Sequence, residues 1–120
     1  MPNPVIRWQI ITPEADQAAG FYKKLFAWDL STANALGYRE LRSGEARGAD
    51  GGVWPAPPGK PSFVQLQIEV ADIDAAIGKA TKLGASVIMP KSVLPEGDAM
   101  AVLLDPAGIS FVICQLQRRG

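Results

Sequence analysis

The polar chemistry of this chain is concentrated in two short alternating segments. From Val5 to Ile11, Arg7, Gln9 and Ile11 point one way and Ile6, Trp8 and Ile10 the other. From Ser62 to Val70, Gln65, Gln67 and Glu69 share one face, opposite Val64, Leu66, Ile68 and Val70. A guanidinium and a row of amides can grip a polar or anionic small molecule. Glu69 is the one acid of this set, and burial would raise its pKa toward the range of a general base. Nothing marks a nucleophile, an oxyanion hole or a second acid–base partner. The chain also contains no histidine, so it lacks the commonest neutral-pH acid–base group and the commonest ligand for transition metals.

The elements that must position these residues occur twice. Moved back by 58 positions, Gln67 and Ile68 fall on Gln9 and Ile10. In the same frame Asp74 falls on Asp16, Ala76 on Ala18, Gly78 on Gly20, Lys82 on Lys24, Leu83 on Leu25 and Ala85 on Ala27. Gapless internal similarity of this length implies two copies of one supersecondary unit, each too small to bury a core alone.

In the first copy, Thr12-Pro13-Glu14 reads as a helix start, with Thr12 as N-cap and Pro13 at the first helical position. Ala15, Ala18, Ala19, Tyr22 and Leu25 form its apolar stripe. Leu30, Gly37 to Ser43 and Gly51 to Trp54 read as strands. Pro55 to Pro61 holds four prolines in seven residues and serves as a stiff linker. In the second copy, Asp72 caps a helix with the stripe Ile73, Ala76, Ile77, Ala80 and Leu83, and Gly84 ends it. Val87 to Met89, Met100 to Leu104 and Ile109 to Leu116 complete the sheet, with a tight turn at Asp105-Pro106-Ala107-Gly108.

With 120 residues the chain fits one compact domain. Twelve basic and twelve acidic residues balance to zero, which offers no support for nucleic acid or an anionic membrane as partner. The single Cys114 excludes an intramolecular disulfide and reads as a small buried packing residue. No signal-peptide pattern or membrane-length apolar run occurs, so a cytoplasmic location is expected. The closing Gln117-Arg118-Arg119-Gly120 reads as a solvated tail.

Several segments together resemble the vicinal oxygen chelate superfamily, the glyoxalases, extradiol dioxygenases and bleomycin-resistance proteins. They are Phe21-Tyr22-Lys23-Lys24-Leu25-Phe26-Ala27-Trp28, the run Ile68 to Ala76, Leu83-Gly84-Ala85, and Asp105 to Gly108 followed by a strand. The resemblance implies an α+β fold of two tandem βαβββ modules, about 4–54 and 62–117, forming a half-open mixed β-barrel with helices outside. Its inner face would carry Arg7, Gln9, Gln65, Gln67, Glu69, Ser110, Val112 and Cys114. Metalloenzymes of the superfamily place one ligand on the first and one on the last strand of each module. Carried over, those positions are Arg7, Gln65, Val112 and a residue within Gly52 to Trp54 that the turn length leaves open. A permanent cation, a neutral amide and an aliphatic group are not chelators, so no metal and no cofactor are expected.

The expectation is therefore a metal-free protein that binds a small polar or anionic organic molecule through Arg7, Gln9, Trp54, Gln65, Gln67, Glu69, Ser110 and Val112. Trp54 would supply an aromatic surface. A homodimer is expected from the resemblance. Two alternatives stay open: a lyase or isomerase using Glu69 as base with Arg7 as electrostatic stabiliser, and a regulatory or interaction module whose groove is filled by its own side chains, Arg7 pairing with Glu69 for example. Loops near Asn34 and Glu96 would set access.

Overall fold

The computed structural model describes residues 2–32 and 37–117. The expected loop at Asn34 and the tail from Arg118 lie outside them. The elements run β1 (Val5–Thr12), α1 (Ala15–Phe26), β2 (Asp29–Ser31), β3 (Arg39–Arg42) and β4 (Gly51–Pro55). They repeat as β5 (Phe63–Glu69), α2 (Ile73–Lys82), β6 (Ser86–Val93), β7 (Ala99–Leu104) and β8 (Ser110–Gln115). The first strand and the helix of the two runs each begin 58 positions apart, at Val5 and Phe63 and at Ala15 and Ile73. The duplicated βαβββ plan is thus real at the level of elements. The chain divides into two compact units, Ile6–Gln65 and residues 2–5 with 66–117.

In the unit Ile6–Gln65 the strand order is β2-β3-β4-β1, with β1 and β4 parallel and the other pairs antiparallel. The helix α1 lies on one face of this sheet. Ala15 and Ala19 meet Leu41 and Val53 there, with Trp8, Ile10, Tyr22, Trp28 and Leu30 packed around them. The small alanines let the helix approach the strands closely, and the tryptophans fill the flanks. Trp8 is held by its indole N–H, which donates to the carbonyl of Ala49 at 2.8 Å.

The second unit orders its strands β5-β8-β7-β6, with β5 and β8 parallel. Its core joins Val70, Ile73, Ala99, Ala101, Leu103 and Ile113. Asp72 caps α2 by accepting from the amide of Ala75 at 3.1 Å, and Gln115 Oε1 accepts from the amide of Ile73 at 2.9 Å. Two of the orphan donors of the helix are satisfied in this way. Gly84 follows the helix at φ 103°, the left-handed conformation expected of it. The turn at Asp105 is closed by its own carboxylate, which accepts from the amides of Ala107 and Ile109. Neither four-strand sheet closes on itself, and the fold is α+β with mixed strands.

Three local expectations are corrected, and one face of β5 proves largely open. Helix α1 begins at Ala15 rather than Pro13, and Thr12 Oγ1 accepts from the amide of Glu14 as part of the turn before it. Leu25 and Leu83 leave the buried stripes, at 58% and 71% exposed, because helix packing ends at Tyr22 and Ala80. Val64 and Leu66 are also exposed, and of their face only Val70 enters the core. Strand β6 runs from Ser86 to Val93, through Pro90, where the sequence suggested only Val87 to Met89. It is the edge strand of its unit with two register irregularities, the setting in which a strand tolerates proline.

Candidate functional site

The face of each sheet that carries no helix is set by register. In β1 and β4, Gln9 is paired with Gly52 and Ile11 with Trp54, while β3 brings Glu40 opposite Gly52. Arg7, Gln9, Ile11, Glu40, Gly52 and Trp54 therefore share the face opposite α1. Gln9 and Gln65 are buried, at 3% and 5% exposed. Burying amides requires partners, and a chain of them is present. The indole N–H of Trp54 donates to Gln9 Oε1 at 2.8 Å, and Gln9 Nε2 donates to Gln65 Oε1 at 3.4 Å.

The residue missed by sequence reasoning is Tyr38. Its ring is 6% exposed and lies over Gly52, where a Cβ would stand 2.2 Å from Tyr38 Cζ. It stacks at a 36° tilt on Trp54, with centroids 4.8 Å apart, and the Arg7 guanidinium carbon is 6.0 Å from its centroid. Burial raises the Tyr38 pKa from 10.0 to about 12; Arg7 opposes this by charge and by hydrogen bonding, and Glu40 adds to it. The available signal was the Gly51-Gly52 pair. Two strand residues without side chains imply that something large covers them, and here Trp8 covers Gly51 and Tyr38 covers Gly52.

Among the described residues three ion pairs occur: Arg39 with Asp16, Arg42 with Glu40, and Lys91 with Asp74. Arg7 is in none of them. It is a half-buried cation braced by an aromatic ring, on the helix-free face.

In the second unit, Gln67 pairs with Val112 and Glu69 with Cys114 across β5 and β8, so Gln67, Glu69, Ser110, Val112 and Cys114 share a face as expected. Val112 and Cys114 are fully buried, and Cys114 Sγ approaches the Ile68 carbonyl at 3.7 Å. Cys114 is thus a packing residue. Gln67 Oε1 is buried without a described hydrogen-bond partner. Glu69 borders an open depression of about 500 Å³ with Gly97, Gln115 and Gln117.

The register also resolves the position left open in the first module. Gly52 stands to Gln9 as Val112 stands to Gln67. The four positions that carry ligands in metal-dependent relatives of this fold are then Arg7, Gly52, Gln65 and Val112. None supplies a good donor to a divalent ion, and the space above Gly52 is taken by the Tyr38 ring. Among the described residues no cluster of three histidine, cysteine or acidic side chains is placed to hold a metal. The residues present do not fit a metal at these positions.

The model of the glyoxalase-like domain matches residues 7–114. This chain belongs to that family. Curated relatives of the chain include CFP32 of Mycobacterium bovis and of Mycobacterium tuberculosis, which carry a glyoxylase name and are 30% identical over 113 residues. That match covers 89% of this chain and 43% of theirs, so the chain spans less than half the length of these relatives. Among solved structures, protein BH1468 of Bacillus halodurans superposes with a TM-score of 0.74 at 16% identity, over 100% of this chain and 99% of its own. Methylmalonyl-CoA epimerase of Mycobacterium tuberculosis superposes with a TM-score of 0.63 at 14% identity, over 98% and 93%. These likenesses show that the glyoxalase-like fold, that of the vicinal oxygen chelate proteins, is shared. No described helix is long and apolar enough to cross a membrane.

Proposed function

We propose that this glyoxalase-like protein binds a small polar or anionic organic molecule without a metal, on the helix-free face that carries Arg7 and Trp54. The supporting observation is a cation that joins none of the described ion pairs. Arg7 sits half-buried against Tyr38, outside every described ion pair, beside amides already committed to one another. A partly buried guanidinium outside every described ion pair can take an anionic acceptor through its planar fork. A solved epimerase of the same fold holds methylmalonyl-CoA, an anionic thioester, which is consistent with an anionic ligand for this fold. Gln67, Glu69, Ser110 and Val112 are part of the same reading, as is residence in the cytoplasm.

The test is a thermal-shift screen of small organic acids with elemental analysis of protein purified without added metal. The expected result is a rise in melting temperature with one acid class, unchanged by chelator, with no stoichiometric metal. A bound nickel, zinc, iron or manganese ion at unit occupancy would overturn the metal-free part. A lyase or isomerase is the second reading, favoured by the position of Glu69 at the rim of a depression. Glu69→Gln would then abolish turnover while leaving binding intact.

The chain is also proposed to form a homodimer. Val64 and Leu66 are exposed apolar residues on one face of β5, and a net-neutral chain meets its own copy without charge repulsion.

A further inference from the structure

We propose that the depression at the carboxyl end of β5 and β8 binds a small ammonium compound with a neighbouring carbonyl, as in an amino-acid amide or the amino end of a peptide. The site lies wholly within the second unit. It does not rest on the anionic ligand proposed for Arg7, although Glu69 figures in both. Glu69 and Gln115 are the last residues of two parallel strands, and Ala99 is the first of β7 beside them. Open α/β sheets hold their ligands in such crevices, outside the carboxyl ends of parallel strands. A volume of about 500 Å³ suits a small organic molecule.

The polar lining is held in place from behind. The backbone amides of Glu69 and Val70 donate to the carbonyls of Pro4 at 3.0 Å and Cys114 at 2.8 Å. The amide of Gln117 donates to the Asp98 carboxylate at 2.7 Å, and its side-chain carboxamide lies against Gly97, where a Cβ would collide with it. Gly97 stands at φ 100°, a conformation that suits glycine, so the β6–β7 hairpin and the segment after β8 meet at this one position. Gln115 gives its side-chain oxygen to the amide of Ile73, which leaves its Nε2 hydrogens to donate elsewhere.

Polarity then sets the ligand. Glu69 can only accept, and it joins none of the described ion pairs. It is the one charged residue of the lining, which holds no lysine or arginine. A group that gives N–H bonds to a carboxylate and takes one from a carboxamide is an ammonium beside a carbonyl. Val70, Ala71 and Leu116 offer a short aliphatic side chain its apolar contact.

Alaninamide, lactamide and lactate have nearly one shape and carry positive, zero and negative charge. They test the inference by nuclear magnetic resonance titration of the full isotope-labelled chain in mildly acid buffer. Alaninamide is expected to shift the backbone amides of Gly97 and Gln117 and the side-chain amide of Gln115 together and saturably. It should bind on the order of tenfold more tightly than lactamide, and lactate should leave these signals in place. Glu69→Gln should lower alaninamide to the affinity of lactamide. Equal binding of the three probes, preference for lactate, or alaninamide binding away from these residues would overturn the site. If lactate moves the Trp54 indole signal while alaninamide moves nothing, this site falls and the anionic ligand at Arg7 stands. Saturation by alaninamide with no response to any organic acid has the opposite meaning. Glu69 is half-buried at a strand end, so the variant is expected to fold; should it not, the probe series on the unaltered protein decides.

Discussion

Tyr38 rests on the bare backbone of Gly52: a methyl group added at Gly52 would lie 2.2 Å from Tyr38 Cζ and 2.4 Å from its hydroxyl oxygen. Real side chains do not approach so closely, and the ring is enclosed on its other sides by Trp54 and Arg7. Gly52→Ala should therefore destabilise the protein by roughly 2 kcal/mol, typical of an overpacked interior. Denaturant unfolding checks this. In a Tyr38→Ala background the added cost should shrink but persist, because the Arg39 carbonyl stands 2.6 Å from the same position. An equal penalty in both backgrounds would show that the ring is not the obstacle.

The same burial predicts an alkaline transition. The Tyr38 pKa is pushed from 10.0 to about 12 in the folded protein. A raised folded pKa means that the stability tied to the protonated phenol is complete below pH 10 and is lost as pH climbs toward 12. The loss should amount to about 2–3 kcal/mol. Ultraviolet titration should show one tyrosine ionising late, and Tyr38→Phe should remove both that step and the matching slope of stability against pH. A Tyr38 that ionises at 10 would contradict its placement.

Much of this arrangement was legible in the sequence, and the reasons differ by residue. The period-2 alternation around Gln9 and Gln67 fixed which side chains share a face, since a strand offers only two. The repeat frame found a strand followed by a helix in both halves, because a duplicated unit repeats its packing contacts, although it did not show that α1 begins at Ala15. Tyr38 was not legible. It precedes β3, and its role comes from lying over a glycine of the neighbouring strand, a relation that no local pattern encodes. Leu25 and Leu83 misled for the opposite reason: helical periodicity identifies a stripe but not where the sheet beneath it stops. Gly52 emerged only from register, as turn length hides the alignment of the last strand in the first unit.

The homodimer proposed above, placed at β5, predicts a sharp response to one charge. Leu66 is 49% exposed on a strand whose apolar neighbours Phe63 and Val64 are exposed as well. Leu66→Glu should leave the melting temperature of dilute protein nearly unchanged while converting a dimer to a monomer in sedimentation equilibrium. A dimer that survives the substitution would place the contact elsewhere.

Strand β6 ends its sheet with all eight residues exposed, Val87, Ile88, Met89 and Val93 among them. An open row of amides bearing that much hydrocarbon is a template for fibre growth, and Pro90 is the residue that denies it a continuous ladder. The backbone nitrogen of Pro90 has no proton to offer an incoming chain. Pro90→Val should accordingly fold and yet shorten the lag before thioflavin-positive aggregates form, so that the ring of one edge residue governs colloidal lifetime independently of anything the protein binds.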